Sequence, residues 1–387
     1  MLASGTIERR QSIPLAWRHL DVVLVGAVTL IGAFGCLMIY TATRDQLQAA
    51  GLSPTYYLKK QAVFMVLGIV VMLAVAAIDY RKLRDWAPAI YGSSIVLLLA
   101  VFVVGHKSKG AQAWFQFGSY QLEPSEFVKV ALIISLASFC AAGKGRLSGR
   151  ALVALLGLAA IPFLLIYKQP DLGTALVLAA VLVAVLLIGG ASPRHLVALG
   201  MVTAALTFGV VHFGVLKSYQ QARLTSFISS PNQPDAALLR SPAGANLYNL
   251  AEAKTAIGNG GLTGRGLGKG TMTNLSYVPE QRTDFIFTAV GEQLGLVGSA
   301  LLLLLFGLVI WRTWQAATLS RDKFGTLVSV GVLAMLTFQV FENIGMTMGI
   351  MPVAGIPLPL MSYGGSAVIA TFAAIGLVLS VRMRRFS

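Results

Sequence analysis

Ten apolar runs, most of them about one bilayer long, leave this chain few ways to fold. They are Val22–Tyr40, Ala62–Ile78, Pro88–Gly105, Phe127–Ala142, Ala151–Tyr167, Leu172–Gly190, Leu196–Val215, Phe285–Trp311, Gly325–Gly349 and about Ser362–Val381. A run the length of the first, wound as a helix, rises roughly 28 Å, close to the thickness of a hydrocarbon core. Lipid offers no hydrogen bonds to the backbone, so a crossing segment satisfies its own N–H and C=O groups as a helix. Composition agrees: only 12% of residues are charged and the mean hydropathy is +0.75, against about a quarter charged in soluble domains. The first run is too long for a signal-peptide apolar region, and no small-residue cleavage site follows, so it reads as a retained helix. The expected fold class is all-α, a polytopic membrane protein with ten transmembrane helices. One large extracytoplasmic loop, 216–284, separates helices 7 and 8, and the whole of 1–387 forms a single membrane domain.

Lys and Arg set the orientation. With the N-terminus in the cytoplasm, cytoplasmic segments hold 16 of them and the short outer loops hold 6. Both ends, 1–21 and 382–387, are then cytoplasmic. The large loop and Asp284 lie outside. This asymmetry also accounts for the net charge of +15 without nucleic acid, for which no basic–aromatic module is present. The two cysteines, Cys36 and Cys140, sit in different runs, and the four histidines are scattered, so neither set has metal-binding spacing.

The large loop has order of its own. Pro231, Pro234 and Pro242 break its middle. Asn246–Ile257 reads as a weak amphipathic helix, lying either on the membrane surface or against neighbouring protein. Gly258–Gly270 then has seven glycines in thirteen residues but matches neither phosphate-binding glycine motif. It reads as a flexible connector or as bare backbone offered to an anion. After Asn343 no charged residue occurs until Arg382, although Pro352, Pro357 and Pro359 mark a loop. An uncharged loop should dip into the membrane or pack beneath other protein.

Charges at helix ends carry the candidate chemistry. Glu126 and Lys129 are three apart and share a helix face. They form a structural ion pair or line a wet cavity that holds a polar head group. Asp171 begins the sixth helix, where capping is one explanation. Asp284 stands where the polar loop meets an apolar helix, as a cap or as a base. A free Asp has a pKa of ~3.9 and is a weak base. Phe285, Ile286 and Phe287 would raise that value by desolvation and Arg282 would lower it.

These residues belong to a wider pattern. It includes Lys109-Gly110-Ala111-Gln112 with Trp114, Pro124-Ser125-Glu126 with Lys129, and Gln169-Pro170-Asp171-Leu172-Gly173-Thr174. It continues through Pro279-Glu280, Thr283-Asp284-Phe285-Ile286-Phe287, Asn343-Ile344-Gly345, Pro357-Leu358-Pro359-Leu360 and Ser362-Tyr363-Gly364-Gly365-Ser366. Over nearly its whole length the chain resembles the SEDS family (shape, elongation, division and sporulation), and its elongation branch more than its division branch. The resemblance implies a peptidoglycan glycosyltransferase that acts on lipid II at the outer face of the bacterial cytoplasmic membrane. It implies that Asp284 matches the family's essential carboxylate, and that Glu126, Lys129 and Asp171 match polar positions lining its central cavity. It also implies a partner, a class B penicillin-binding protein that crosslinks the new glycan.

The expected reaction is inverting lipid II polymerisation, with Asp284 as general base. Arg223, Arg265, Lys269 and Arg282 are the candidate cations for the departing diphosphate. A divalent cation, Mg or Mn, is the one cofactor considered, and the sequence shows no carboxylate cage dedicated to it. Two rivals remain: a transporter (flippase) of the lipid-linked precursor, and a non-catalytic scaffold that activates its partner.

Overall fold

The structure, a computed structural model, describes residues 17–108, 111–143, 145–212 and 242–385. Lys109-Gly110, Arg223, Pro231, Pro234 and the polar N-terminal segment up to residue 16 lie outside the described residues. In chain order the helices are α1 (Val22–Ala49), α2 (Tyr56–Ala77), α3 (Tyr80–Val104), α4 (Pro124–Ala142), α5 (Gly149–Lys168), α6 (Leu172–Gly189) and α7 (Pro193–His212). The large loop contributes α8 (Pro242–Gly260) and a single turn, α9 (Thr271–Asn274). Then come α10 (Ile286–Thr318), α11 (Lys323–Met348) and α12 (Gly365–Met383). Among the described residues, α1–α6 and α10–α12 are long and apolar enough to cross a membrane. The remaining run, Leu196–Val215, is α7, whose expected last residues, 213–215, are not described.

The bundle is organised around α12, where Phe372, Ala374, Ile375 and Val378 are wholly buried. Its closest neighbour is α2, and small residues make the approach possible. A Cβ on Gly68 would stand 2.3 Å from the Phe372 ring, and one on Gly376 would stand 2.6 Å from the Met72 carbonyl oxygen.

Charged groups close one end of the bundle. Asp21 caps α1 through Leu24 N–H at 3.1 Å and pairs with Arg312 at 2.5 Å and Arg382 at 2.9 Å. The start of α1 therefore meets the ends of α10 and α12, as an even number of crossings requires. At the opposite end, residues expected to form a short loop make a three-stranded antiparallel meander. Its strands are β1 (His106–Ser108), β2 (Ala111–Phe117) and β3 (Tyr120–Leu122). The β2–β3 turn is two residues, Gly118-Ser119, with Gly118 at φ 60°, a short hairpin connection that favours glycine.

The glycine-rich stretch behaves as neither expected form. Helix α10 is broken at Gly295 (φ 64°, ψ −160°), which frees backbone groups that lipid cannot satisfy. The stretch fills the break with its own backbone. Arg265 and Gly266 N–H donate to the Glu292 and Gln293 carbonyls at 2.9 Å each, while Leu296 and Val297 N–H donate to Gly261 and Leu262 at 2.9 and 3.1 Å. The contact is so close that a Cβ on Gly260 would lie 1.9 Å from the Gly291 oxygen. Buried Glu292 completes the dock by accepting from Met272 N–H at 2.7 Å and Thr273 N–H at 2.9 Å, which caps α9. Helix α8 packs on α10 and α11, with Leu247, Leu250, Ala253 and Ala256 buried, so the expected loop helix lies against protein. The uncharged loop after α11 is also covered: Val353, Ile356, Leu358, Leu360 and Met361 are buried.

Candidate functional site

Helices α4, α6, α10 and α12 all begin at the end of the bundle opposite the Asp21 cluster. Their N-termini, with the β2–β3 hairpin and the loops before α10 and α12, line a partly open cavity of about 560 Å³. Helix N-termini carry partial positive charge, and carboxylates gather there: Glu123, Glu126, Asp171, Glu280 and Asp284 all line the wall.

Four of the sequence candidates, Glu126, Asp171, Arg282 and Asp284, share this wall. Asp284 is half-buried, and Phe285, Ile286 and Phe287 behind it are buried. The cap position of α10 belongs to Phe285, one residue after Asp284. Asp171 does cap: its Oδ1 accepts from Thr174 N–H at 2.9 Å. Its Oδ2 is buried without a hydrogen-bond partner, so its two oxygens separate the capping reading from the cavity reading. Glu126 pairs with Lys129 at 2.7 Å, with both side chains almost fully buried. Glu126 reaches the wall, while Lys129 stands behind it and does not line the cavity.

Arg282 is the one Lys or Arg among the lining residues. Its guanidinium lies 4.5 Å over the Tyr57 ring, and Tyr57 in turn meets Tyr363 edge-on at 5.1 Å. Burial pushes the Tyr363 phenol up to about 12, which keeps it neutral on the cavity wall. The other candidate cations are not brought here. Arg265 and Lys269 are exposed on the glycine-rich stretch, where Arg265 Nε donates to the Asn259 carbonyl at 2.8 Å. Arg223 lies outside the described residues. Among the described residues, no group of three or more His, Cys, Asp or Glu is placed to hold a metal ion.

Sequence reasoning passed over Glu123. It holds the cap position of α4, accepts from the Trp114 indole N–H at 3.1 Å and the Ser125 hydroxyl at 3.0 Å, and lines the cavity. Burial, with Asp171 and Glu126 nearby, pushes its carboxyl up to about 8, against the opposing pull of Ser125 and Lys129. Its signal was a second carboxylate immediately before Pro124-Ser125-Glu126.

A family model described as "Cell cycle protein", covering FtsW, RodA and SpoVE, matches residues 21–386. The "Probable peptidoglycan glycosyltransferase FtsW" of Geobacter metallireducens is 34% identical over 94% of this chain and 95% of its own length. The "Peptidoglycan glycosyltransferase MrdB" of Escherichia coli K12 is 35% identical over 95% of this chain and 94% of its own. Among solved structures, a chain from work on "polymerization and crosslinking by a peptidoglycan synthase complex" superposes with a TM-score of 0.80. It is 31% identical, over 95% of this chain and 99% of its own. The rod shape determining protein RodA of Thermus thermophilus gives a TM-score of 0.68 at 32% identity, over 96% of this chain and 99% of its own.

Proposed function

This chain belongs to the FtsW, RodA and SpoVE family, and from that premise we propose that it is a peptidoglycan glycosyltransferase that polymerises lipid II. The observation that carries the proposal is Asp284, a carboxylate on the wall of a partly open cavity at a bundle end, with Arg282 as the cation of that wall. The 4-hydroxyl of the acceptor sugar attacks the anomeric carbon of the donor. The new C–O bond forms as the bond to the lipid diphosphate breaks, with inversion at that carbon. Asp284 takes the hydroxyl proton as general base. Arg282 offsets charge on the departing diphosphate, and Asp171 Oδ2 is an acceptor for a sugar hydroxyl. No step runs through a metal ion. Lipid tails stay between helices while sugars occupy the cavity.

Orientation follows from charge. The Asp21 end gathers Arg81, Arg312, Arg382 and Arg384 with their acidic partners, which supports a cytoplasmic placement of that end and of both termini. The cavity then faces outward in a bacterial cytoplasmic membrane, where a class B penicillin-binding protein would crosslink the product. The preference for elongation over division rests on the Lys109-Gly110-Ala111-Gln112 and Pro357-Leu358-Pro359-Leu360 segments, since relatives named FtsW and MrdB match almost equally. The transporter reading is disfavoured by the break at Gly295. Transporters use unwound backbone to coordinate substrate or ions, whereas here the glycine-rich stretch takes up those groups.

The test is glycan formation from labelled lipid II by the wild type and Asp284→Asn, each with and without the partner. Polymer from the wild type and none from a folded, partner-binding Asp284→Asn is expected. Equal polymer from both would remove Asp284 as the base. Lipid II translocation without polymer would favour the transporter.

A further inference from the structure

Three successive backbone carbonyls before α10 are held from outside their own segment. Arg282 C=O accepts from Tyr363 N–H at 2.8 Å. Thr283 C=O accepts from the Ser362 hydroxyl at 2.5 Å. Asp284 C=O accepts from the Asn343 side-chain amide at 2.8 Å. The donors come from α11 and from the loop before α12, 59 to 81 residues away along the chain.

Each donor is itself anchored. Asn343 is fully buried, and its Nδ2 also donates to the Ile356 carbonyl at 2.7 Å. One amide thus joins the Asp284 segment to the loop that supplies Ala354, Gly355 and Pro357 to the cavity lining. Its Oδ1 has no hydrogen-bond partner, so the side chain is used here only as a double donor. The buried Ser362 hydroxyl accepts from Leu358 N–H at 2.9 Å while it donates to Thr283. The Ser362 carbonyl accepts from buried Gln61 on α2 at 3.1 Å.

We infer that Asn343 and Ser362 are positioning residues that fix the Asp284 carboxylate against the reacting hydroxyl by clamping the carbonyls of Thr283 and Asp284. The inference rests on the glycosyltransferase reading for its effect on turnover, but not for the clamp. A general base works within hydrogen-bond reach of its proton, and a misplacement of about 1 Å costs on the order of 100-fold in rate. Losing a carbonyl partner frees the segment without touching the substrate, so kcat falls while KM holds.

Asn343→Leu keeps the volume and removes both donors, Ser362→Ala removes the hydroxyl, and Ser362→Thr restores it. In full-length protein, hydrogen–deuterium exchange across residues 280–287 should quicken about tenfold in the first two variants. Exchange beyond residue 296 in α10 should not change. Lipid II polymerisation should lose about 10- to 100-fold in kcat with KM within about twofold, and Ser362→Thr should restore both readouts. Unchanged exchange would overturn the clamp, whatever the activity. Faster exchange with unaltered kcat would overturn the positioning role, as would loss spread over all of α10 and α11. An inactive wild type would count against the glycosyltransferase reading, and exchange would still decide the clamp.

Discussion

Replacing Lys129 by Met should be costly, and replacing its partner as well should restore much of the loss. Lys129 and Glu126 lie 2.7 Å apart, with side chains 2% and 5% exposed. At an effective dielectric constant of ~20, two unit charges at that distance attract by about 6 kcal/mol. Desolvating each ion costs several kcal/mol, so the intact pair contributes little net stability. Removing one partner leaves the desolvation of the other without its offset, which costs about 3–5 kcal/mol. In Lys129→Met the remaining Glu126 also stays beside the Glu123 carboxyl, which pushes toward the upper end. Unfolding by SDS titration in mixed micelles, followed by circular dichroism, would compare Lys129→Met, Glu126→Gln and the double variant. The double variant should lose about 1–3 kcal/mol, well short of the two single losses added together. Additive losses would refute the buried pair.

Two further outcomes follow from the same packing. The Glu123 carboxyl is raised to about 8 in the folded protein from an ordinary 4.5. The folded state therefore keeps a proton that the unfolded chain gives up, and stability falls as pH climbs from about 4.5 to about 8. Glu123→Gln should flatten this part of the heat-denaturation profile, and parallel profiles would contradict the assignment. Gly260→Ala would drive a methyl to 1.9 Å from the Gly291 oxygen; a loss of about 3 kcal/mol by the same SDS titration is expected, and a neutral result would mean that the docked stretch is not close-packed.

The nine membrane-long apolar helices among the described residues were legible because hydropathy is a property of each residue and its near neighbours. The packed uncharged loop was legible for the same reason, since an unpaired backbone has nowhere to go in lipid. The glycine-rich stretch misled. Seven glycines suggest freedom or a ligand, yet their use is a backbone-to-backbone dock into a helix break that begins two dozen residues later. Glu123 was passed over because nothing local distinguishes a cap residue that faces solvent from one that faces a cavity.

By itself the sequence determined the membrane class, where the apolar helices lie along the chain and the end at which polar groups gather. Each follows from transfer free energies summed along short windows. Tertiary structure decided which polar groups meet. It brought Glu126, Asp171, Arg282 and Asp284 to one wall, added Glu123, set Lys129 behind and left Arg265 and Lys269 on an exposed loop. It also joined Asn343 to the Asp284 carbonyl across 59 residues. Such meetings depend on how closely helices such as α2 and α12 approach, a distance set by small side chains on both partners at once and therefore absent from any single window of sequence.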